Sequence, residues 1–528
     1  MRRMPLGLCA LGASVLAFAA PASGASKNVQ LVNNLPEARH ATAINFLNYP
    51  ELGEDARRGL DVMLVTGRFG LKSYSLEDPA NPELLDEVTA EELRLPGDPP
   101  VDFTPDAGGT PRSTFWQNED MDVDHRRKLA LLSRDPRAYA GSTSREPGEP
   151  DPNGATNIAG VYVVDAKDPE ALSILSFQQL PTGHTTTCVN GCRALWTGGP
   201  ASTVRQREVL QWTFGRPIIV TDLRDPRRPQ AHPLQPVDLF RRDGVTAYSH
   251  DVQVDEMGVA WVSGDGGTRG YWTSGRHWDP VEEQYRQATA LDPVPYGGGG
   301  LPAPVVGDDT GGFEHNAWRP VGESAPQEDA RYRRGELLLT TEEDFGPAEE
   351  ACRNRGKFAI SSLSGSFDGQ AWRSTPQNPF RLTTVGTWSP YQQEGSRPEG
   401  GPYDPLANFC SAHYFDVDGS TVTYAWYGEG TRFLDVSDPA NPTQFAYWRP
   451  DDGIVWASYM HNGLIYTADR TRGVDILRLT RGAEVARAAR REVVAPEPSA
   501  RQRRFIARMA RGYAVDPGTG GLCILQKN

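Results

Sequence analysis

A short segment recurs along this 528-residue chain and restricts the folds that it can form. Each copy is an apolar strand that ends in aspartate and runs into an Asp-Pro turn. Proline fixes its own φ angle and keeps the preceding residue extended, so the turn ends the strand. The copies begin at Gly70 (GLKSYSLEDPANPELL), Gly160 (GVYVVDAKDPEAL), Arg216 (RPIIVTDLRDPRRPQ) and Thr431 (TRFLDVSDPANPTQF), and GVDILRLT from Gly473 lacks the turn.

A second repeated segment precedes the first. Each copy is a strand of about six residues, a polar turn and a strand rich in Val, Leu, Trp and Tyr. Four copies align without gaps, from Asn118, Gly183, Ser249 and Ala412. Copies that diverge more start at Ala41, Phe313 and Ala457.

The two segments together make seven units of four short strands. Such a unit cannot bury both of its faces alone, so the units must stack, and radial stacking gives a propeller. The sequence therefore predicts an all-β, seven-bladed β-propeller of four-stranded antiparallel blades; a pair of β-sandwiches or an open β-solenoid remains the alternative. We expect residues 29–32 to close the ring by pairing with residues 473–479.

The repeat resembles the LVIVD-repeat family of propellers. The resemblance covers residues 44 to about 480 and depends on a glycine, alternating apolar residues, an aspartate and the Asp-Pro turn. It implies a propeller fold and no particular reaction.

Both ends of the chain differ from the repeats. Residues 1–24 have two arginines, an apolar run and small residues, as in a secretory signal peptide. Residues 25–480 form the predicted propeller, and residues 481–528 a basic, helical C-terminal extension. The net charge of −14 argues against nucleic acid as a partner. No apolar run of the mature chain is long enough to span a membrane, so we expect a secreted or cell-envelope protein.

Four of the nine histidines occupy the same position in successive copies, at the start of the first strand. They are His184, His250, His315 and His413, and Glu119 takes this position in the second unit. The first strand of a blade lines the central channel, so equivalent positions point at one axis. We therefore expect these side chains to meet at one mouth of the channel.

Imidazole is a common ligand of copper, iron and zinc. The sequence predicts that the four histidines can hold a transition metal, with Glu119 as a supporting group behind them. The alternative is structural, because a repeated histidine could also bond to the backbone of the next blade. By architecture alone, the ring resembles the four-histidine iron centre of carotenoid-cleaving oxygenases and the propeller methanethiol oxidases.

The cysteines indicate disulfides rather than a zinc cluster. His184 and Cys188 are about 13 Å apart on one extended strand, too far to share a metal. Cys188 and Cys192 flank a three-residue turn and are predicted to pair. Cys352 and Cys410 are candidates for a second bridge, and Cys523 is left over.

The longest insertions enter a first strand or link the second and third strands, so all of them are expected on the histidine side. Loops on one side of a rigid scaffold often bind ligands. The leading hypothesis is therefore a secreted binding protein that takes an unidentified small molecule or protein on this loop-rich face. The alternatives are a copper- or iron-dependent oxidoreductase and a non-catalytic interaction scaffold.

Overall fold

The computed structural model describes most of the propeller. The described residues are 24–53, 59–105, 111–115, 119, 121–135, 138–139, 158–199, 218–233, 248–265, 267–279, 282, 284–296, 314–322, 325–343, 356–363, 383–391, 410–488, 492–510, 513–514 and 525–526. Residues 1–23, which form nearly all of the predicted signal peptide, lie outside them.

Seven antiparallel sheets of four strands confirm the predicted seven-bladed propeller. From the channel outward, the strands are Ala41–Tyr49, Leu60–Gly67, Gly70–Ser75 and Glu83–Thr89 in blade 1; Met121–Asp124, Leu129–Arg134, Ala159–Asp165 and Ser173–Leu180 in blade 2; Thr185–Val189, Ala194–Gly198, Ile219–Asp222 and Gln230–Ala231 in blade 3; Tyr248–Val254, Val259–Asp265, Arg269–Trp272 and Val294–Pro295 in blade 4; Glu314–Trp318, Leu337–Glu342, Phe358–Ser362 and Thr383–Trp388 in blade 5; Phe415–Asp418, Thr421–Ala425, Thr431–Asp435 and Thr443–Pro450 in blade 6; and Val455–His461, Leu464–Asp469, Gly473–Leu479 and Val29–Leu35 in blade 7.

The N-terminal strand closes the ring as expected. Val29–Leu35 pairs with Gly473–Leu479 and completes blade 7. Just before it, Gly24–Lys27 pairs with Thr443–Pro450 as a fifth strand of blade 6. The start of the described chain thus joins the last two blades, which ties the ends of the propeller together.

The Asp-Pro turns of the repeat have one shared geometry. The aspartate carboxylate accepts a hydrogen bond from the backbone N–H two residues later, as Asp78 does from Ala80 and Asp438 does from Ala440. Such a turn is stable without any other contact. It reverses the chain between the third and fourth strands, at the outer part of the blade.

The apolar core lies in layers between neighbouring blades. Between blades 3 and 4, for example, Trp196 and Val220 pack with Val252, Val262 and Tyr271. Because each layer is shared, a blade is stable only next to its neighbours, as a stacked repeat requires.

The additions to the propeller are small. Blade 4 carries a protruding hairpin, Arg276–Asp279 with Gln284–Gln287, and two further strand pairs join Asp102–Pro105 to Pro111–Ser113 and Tyr513–Ala514 to Leu525–Gln526. Helix within the described residues is limited to the 3-10 turn Pro36–Ala38, α1 (Ala330–Arg333), α2 (Ala483–Ala488) and α3 (Ala500–Ala510).

The C-terminal extension is helical in part, as predicted, but residues 492–499 between α2 and α3 have no regular structure. Within the extension, Val485 is 55% exposed whereas Ile506 is buried. Among the described residues, no helix has both the length and the apolar character needed to cross a bilayer.

Candidate metal centre

A β-bulge at the start of the inner strand turns one residue of a blade toward the channel axis. In blades 1, 4, 5 and 7, the pairing of the first two strands skips one residue of the inner strand. The skipped residues are Thr42, His250, His315 and Trp456, respectively. A bulge re-aims a side chain that strict alternation would point elsewhere. In blades 2, 3 and 6 the equivalent residues, Glu119, His184 and His413, come just before the inner strand.

The four histidines and Glu119 converge, as the register of the sequence predicts. Nε2 of His184 lies 2.7 Å from Glu119 Oε2, and Nε2 of His250 lies 3.1 Å from the same oxygen. The Nε2 atoms of His315 and His413 lie 3.9 and 3.5 Å from the two carboxylate oxygens. All five side chains are fully buried. We call these five residues the histidine ring.

Three of the four imidazoles are anchored at the edge that faces away from Glu119. Nδ1 of His250 donates to the carbonyl of His315 at 3.0 Å, and Nδ1 of His413 donates to the carbonyl of Trp456 at 2.6 Å. Each acceptor belongs to the ring position of the next blade. Nδ1 of His184 instead contacts Oδ2 of Asp135 at 2.8 Å. Ligand histidines of metal sites are held in this way by carbonyls and carboxylates.

The charges of the ring are unevenly distributed. Burial alone would lower the pKa of His184, but Glu119 and Asp135 outweigh it and raise that pKa to about 9. Burial would raise the pKa of Glu119, yet the charge of His184 holds it well below its usual range. Burial lowers the pKa of His250 to about 4 and holds the pKa of His315 well below its usual range. The ring thus contains one carboxylate, one cationic imidazole and at least two neutral ones.

The donor set fits a metal ion. In a neutral imidazole one nitrogen donates and the other accepts, and a carboxylate only accepts. Because Nδ1 of His250 donates and this ring is neutral, its Nε2 carries a lone pair, which lies 3.0 Å from Nε2 of His184 and 3.1 Å from Oε2 of Glu119. Nε2 of His413 makes no hydrogen bond. The cationic His184 supplies the positive charge beside these acceptors, 2.7 Å from Glu119 and 3.0 Å from His250, and a bound metal ion would supply it instead.

The spacing of the donor atoms also fits. Two ligands that bind one metal at about 2.1 Å lie roughly 3 Å apart. Nε2 of His184 and Nε2 of His250 are 3.0 Å apart, and these two atoms lie 2.7 and 3.1 Å from Oε2 of Glu119. Ligand atoms of Glu119, His250 and His315 all lie within 4.8 Å of one another. A small movement of these side chains would bring them around one ion.

A glycine makes room for the ring. A Cβ atom on Gly199 would lie 2.2 Å from Cβ of His184, and the residue has a φ of +120°. The end of the second strand of blade 3 can therefore pass His184 only without a side chain. Gly199 N also donates to the carbonyl of Ser249, which fixes blade 3 to blade 4 beside the ring.

The structure corrects two predictions about the ring. Glu119 is not behind the histidines but among them, since its carboxylate oxygens lie 2.7 to 3.9 Å from the Nε2 atoms of all four rings. The ring also lies inside the channel rather than at its mouth, since no atom of it reaches solvent. Sequence reasoning missed two neighbours of His184: Asp135, which comes close only when blades 2 and 3 pack, and Gly199, which lies across the first hairpin of the same blade.

Two other histidines lie at the opposite end of the inner strands. His125 is exposed in the first hairpin turn of blade 2, at the edge of a cavity. His461 stacks on Phe46 and contacts Asp61 at 3.2 Å. Neither belongs to the ring.

The cysteine predictions are confirmed where the structure describes them. Cys188 and Cys192 form a disulfide across the first hairpin of blade 3. Cys410 is also disulfide-bonded. Its predicted partner Cys352 lies outside the described residues, as does Cys523, so that pairing stays a prediction.

Comparisons with known proteins add little to the site. No family model matches the chain, so the LVIVD resemblance stays a prediction, and no curated protein matches it. Among solved structures, the chain is similar to the periplasmic gluconolactonase PpgL of Pseudomonas aeruginosa, at 10% identity over 77% of this chain and 85% of that chain, with a TM-score of 0.40. U3-55K is similar at 10% identity over 85% of this chain and 97% of that chain, with a TM-score of 0.42. The WD40 repeats of RRP9 are similar at 10% identity over 85% of this chain and 96% of that chain, with a TM-score of 0.41. Likenesses this weak carry no argument about function.

Proposed function

We propose that this chain is a secreted, metal-binding β-propeller. Its metal centre is formed by His184, His250, His315, His413 and Glu119. Copper, iron and zinc are the candidate ions, because neutral imidazole suits all three and the carboxylate offsets part of the ionic charge. A metal replaces the proton that His184 shares with Glu119 in the metal-free chain.

One observation carries this proposal. In a fully buried site, the Nε2 atom of each of the four histidines points at the carboxylate of Glu119, over distances of 2.7 to 3.9 Å. A purely structural histidine would turn that nitrogen to a donor, whereas a metal ligand needs it directed inward.

Export is supported by two features of the chain. Residues 1–24 have the pattern of a signal peptide. The disulfide between Cys188 and Cys192 is of the kind that persists in oxidising compartments. Both features agree with a protein that acquires its metal outside the cytoplasm or during export.

Metal analysis of the purified, exported protein tests the proposal. We expect near-stoichiometric copper, iron or zinc in the wild type. The double variant His250→Ala/His315→Ala should lose it, and His277→Ala in the protruding hairpin of blade 4 should retain it. Circular dichroism and thermal unfolding of all three proteins establish that the fold persists. A folded wild type that remains metal-free after supply of all three ions would contradict the proposal and favour an interaction scaffold.

A metal-dependent oxidoreductase is the second candidate. Oxidisable aromatic rings surround His413: the rings of Tyr414, Tyr427 and Trp456 lie 4.7–4.8 Å from it. Such a shell suits a copper or iron centre more than a zinc centre. Oxygen uptake with thiols or apolar alkenes supports this activity if the double variant loses it. A zinc content would exclude redox chemistry at the ion.

A further inference from the structure

A cavity of about 650 Å³ occupies the end of the channel opposite the predicted loop-rich face. Each blade contributes the residue three positions beyond its ring position, such as Asp122 in blade 2, Gln253 in blade 4 and Asp416 in blade 6. Turn residues of the first hairpins, His125 and Arg126, form part of its edge. We call this cavity the hairpin-side chamber. Its volume is that of a site for a small organic ligand.

The chamber ends directly above the histidine ring. Tyr414 belongs to its lining, and the ring of Tyr414 lies 4.6 Å from that of His315 and 4.8 Å from that of His413. One layer of side chains therefore separates the chamber from the candidate metal centre. The chamber is nevertheless a distinct site, since none of the five ring residues lines it.

Two carboxylates face the chamber without a cationic partner. Asp122 accepts hydrogen bonds only from the backbone of Val123 and Cys188, and Asp416 only from that of Val417 and Met460. Each carboxylate thus joins its own blade to the next one, and no ion pair of the described residues involves either of them. Burial raises the pKa of both carboxyl groups to about 6, which leaves them ionised at neutral pH.

A third carboxylate lies behind the chamber wall. Asp251 is fully buried, and its Oδ2 accepts a hydrogen bond of 3.0 Å from Nε2 of Gln253 in the wall. Its Oδ1 has no hydrogen-bond partner. Among the described residues that line the chamber, Arg126 is the one arginine or lysine, and it lies exposed at the edge.

Aromatic rings form part of the wall of the chamber, next to the carboxylates. Phe46, Trp318 and Tyr459 belong to its lining, from blades 1, 5 and 7. The face of an aromatic ring attracts a cation and also packs against apolar groups. Carboxylates and aromatic faces in one cavity are the combination that recognises an organic ammonium ion.

We infer that the hairpin-side chamber binds an organic cation, an ammonium group carried on an apolar body. The ammonium group lies between the carboxylates of Asp122 and Asp416, and the apolar body lies against Trp318 and Tyr459. The ligand enters from the hairpin side of the propeller, opposite the loop-rich face on which the sequence predicted binding.

Calorimetric titration with benzylamine, a cation at neutral pH, and with neutral benzyl alcohol tests this inference. We expect benzylamine to bind about tenfold or more tightly than the alcohol. Asp122→Asn/Asp416→Asn should lose that preference and keep the affinity for the alcohol. Glu83→Gln, on the exposed edge of blade 1, should behave as the wild type.

A second variant covers the case in which the double substitution disturbs the contacts between blades. Trp318→Leu leaves both carboxylates in place and should weaken both probes while the preference for the cation persists. Equal binding of the two probes to the wild type, or no binding of either, would overturn the inference. An unchanged preference in a folded Asp122→Asn/Asp416→Asn protein would overturn it as well.

Metal content measured on the same samples separates this inference from the proposed metal centre. The aspartate variants should retain the metal, because neither residue is a ring residue. Metal-free protein that still prefers benzylamine would support the chamber and contradict the metal centre. Metal-loaded protein without that preference would do the reverse.

Discussion

Two levels of the central channel are built from the same seven inner strands but have opposite properties. The histidine ring is fully buried, and three of its imidazoles are anchored from behind by Asp135 and by main-chain carbonyls. The hairpin-side chamber, three residues further along each strand, is open, and two of its carboxylates, those of Asp122 and Asp416, accept hydrogen bonds from backbone N–H groups alone among the described residues. The comparison indicates that one level is organised for a tightly held ion and the other for a ligand that comes and goes.

Removal of the central carboxylate should have the largest effect on this difference. Glu119→Ala leaves the charge of His184 with one partner instead of two and opens a hole among the imidazoles. We expect a loss of about 3 kcal/mol in unfolding free energy, as for other broken buried pairs. Metal affinity should fall more than about 100-fold, because loss of a ligand should have a larger effect than loss of a group that only hydrogen-bonds to a ligand. Denaturant unfolding and chelator competition measure the two effects.

Glu119→Gln provides the matched control, since it keeps the shape and removes the charge. It should recover part of the stability but little of the metal affinity. Equal metal affinity in Glu119→Ala and the wild type would mean that Glu119 is not a ligand and that the two levels of the channel differ less than the structure indicates.

The histidine ring is closely packed, whereas the chamber is open. We therefore expect Gly199→Ala, beside the ring, to lower the stability of the protein strongly. A Cβ in Gly199→Ala would clash with Cβ of His184 and require a positive φ for alanine. We expect a destabilisation of about 2–3 kcal/mol, with weaker metal binding because His184 is displaced. Gly258→Ala is the control: φ there is +85°, but nothing lies near an added Cβ. Gly258→Ala should lower the unfolding free energy by about 1 kcal/mol. Similar melting temperatures for the two variants would contradict tight packing at the ring.

The anchor behind His184 predicts an intermediate effect. Asp135→Asn keeps an acceptor for Nδ1 but removes the negative charge. We expect metal affinity to fall about 10- to 100-fold, with the fold unchanged. Asp168→Asn also changes an aspartate that precedes a proline, but one in an exposed turn, and should leave the affinity unaltered. The same affinity in both variants would show that Asp135 does not support a ligand.

The smallest expected effect is a pH dependence at the chamber. The pKa values of Asp122 and Asp416 are raised from 3.8 to about 6 by burial. Because the folded-state pKa exceeds the unfolded one, stability from these groups is complete below about pH 4 and is lost as the pH rises through about 6. Each group contributes about 1 kcal/mol or less, since the chamber admits solvent.

Unfolding free energies of the wild type and of Asp122→Asn/Asp416→Asn at pH 4.5 and pH 7 isolate this contribution, because other titrating groups are common to both proteins. The wild type should lose more stability than the variant over this interval. A larger loss in the variant would mean that the two carboxylates are stabilised as anions without a ligand.

The constant spacing of the repeats made the ring predictable. Intervals of 65, 66 and 65 residues from Glu119 to His184, His250 and His315 fix equivalent positions, whatever the details of each blade. The same alignment contains the chamber, three residues later, but strict alternation along a strand would place the two sets on opposite faces. The bulge at residues such as His250 brings both to the axis, and a bulge leaves no signal in one sequence. Asp135 was not predictable, because only the packing of blades places it.

The central claim is that the four imidazoles and Glu119 hold one ion on the channel axis. Anomalous X-ray scattering from crystals of the exported protein, recorded at the absorption edges of copper, iron and zinc, examines it most directly. We expect a single strong peak among the four Nε2 atoms and Glu119, within about 2.0–2.2 Å of the nearest ligands. Ordered water in place of a peak, or a peak only elsewhere in the molecule, would contradict the claim.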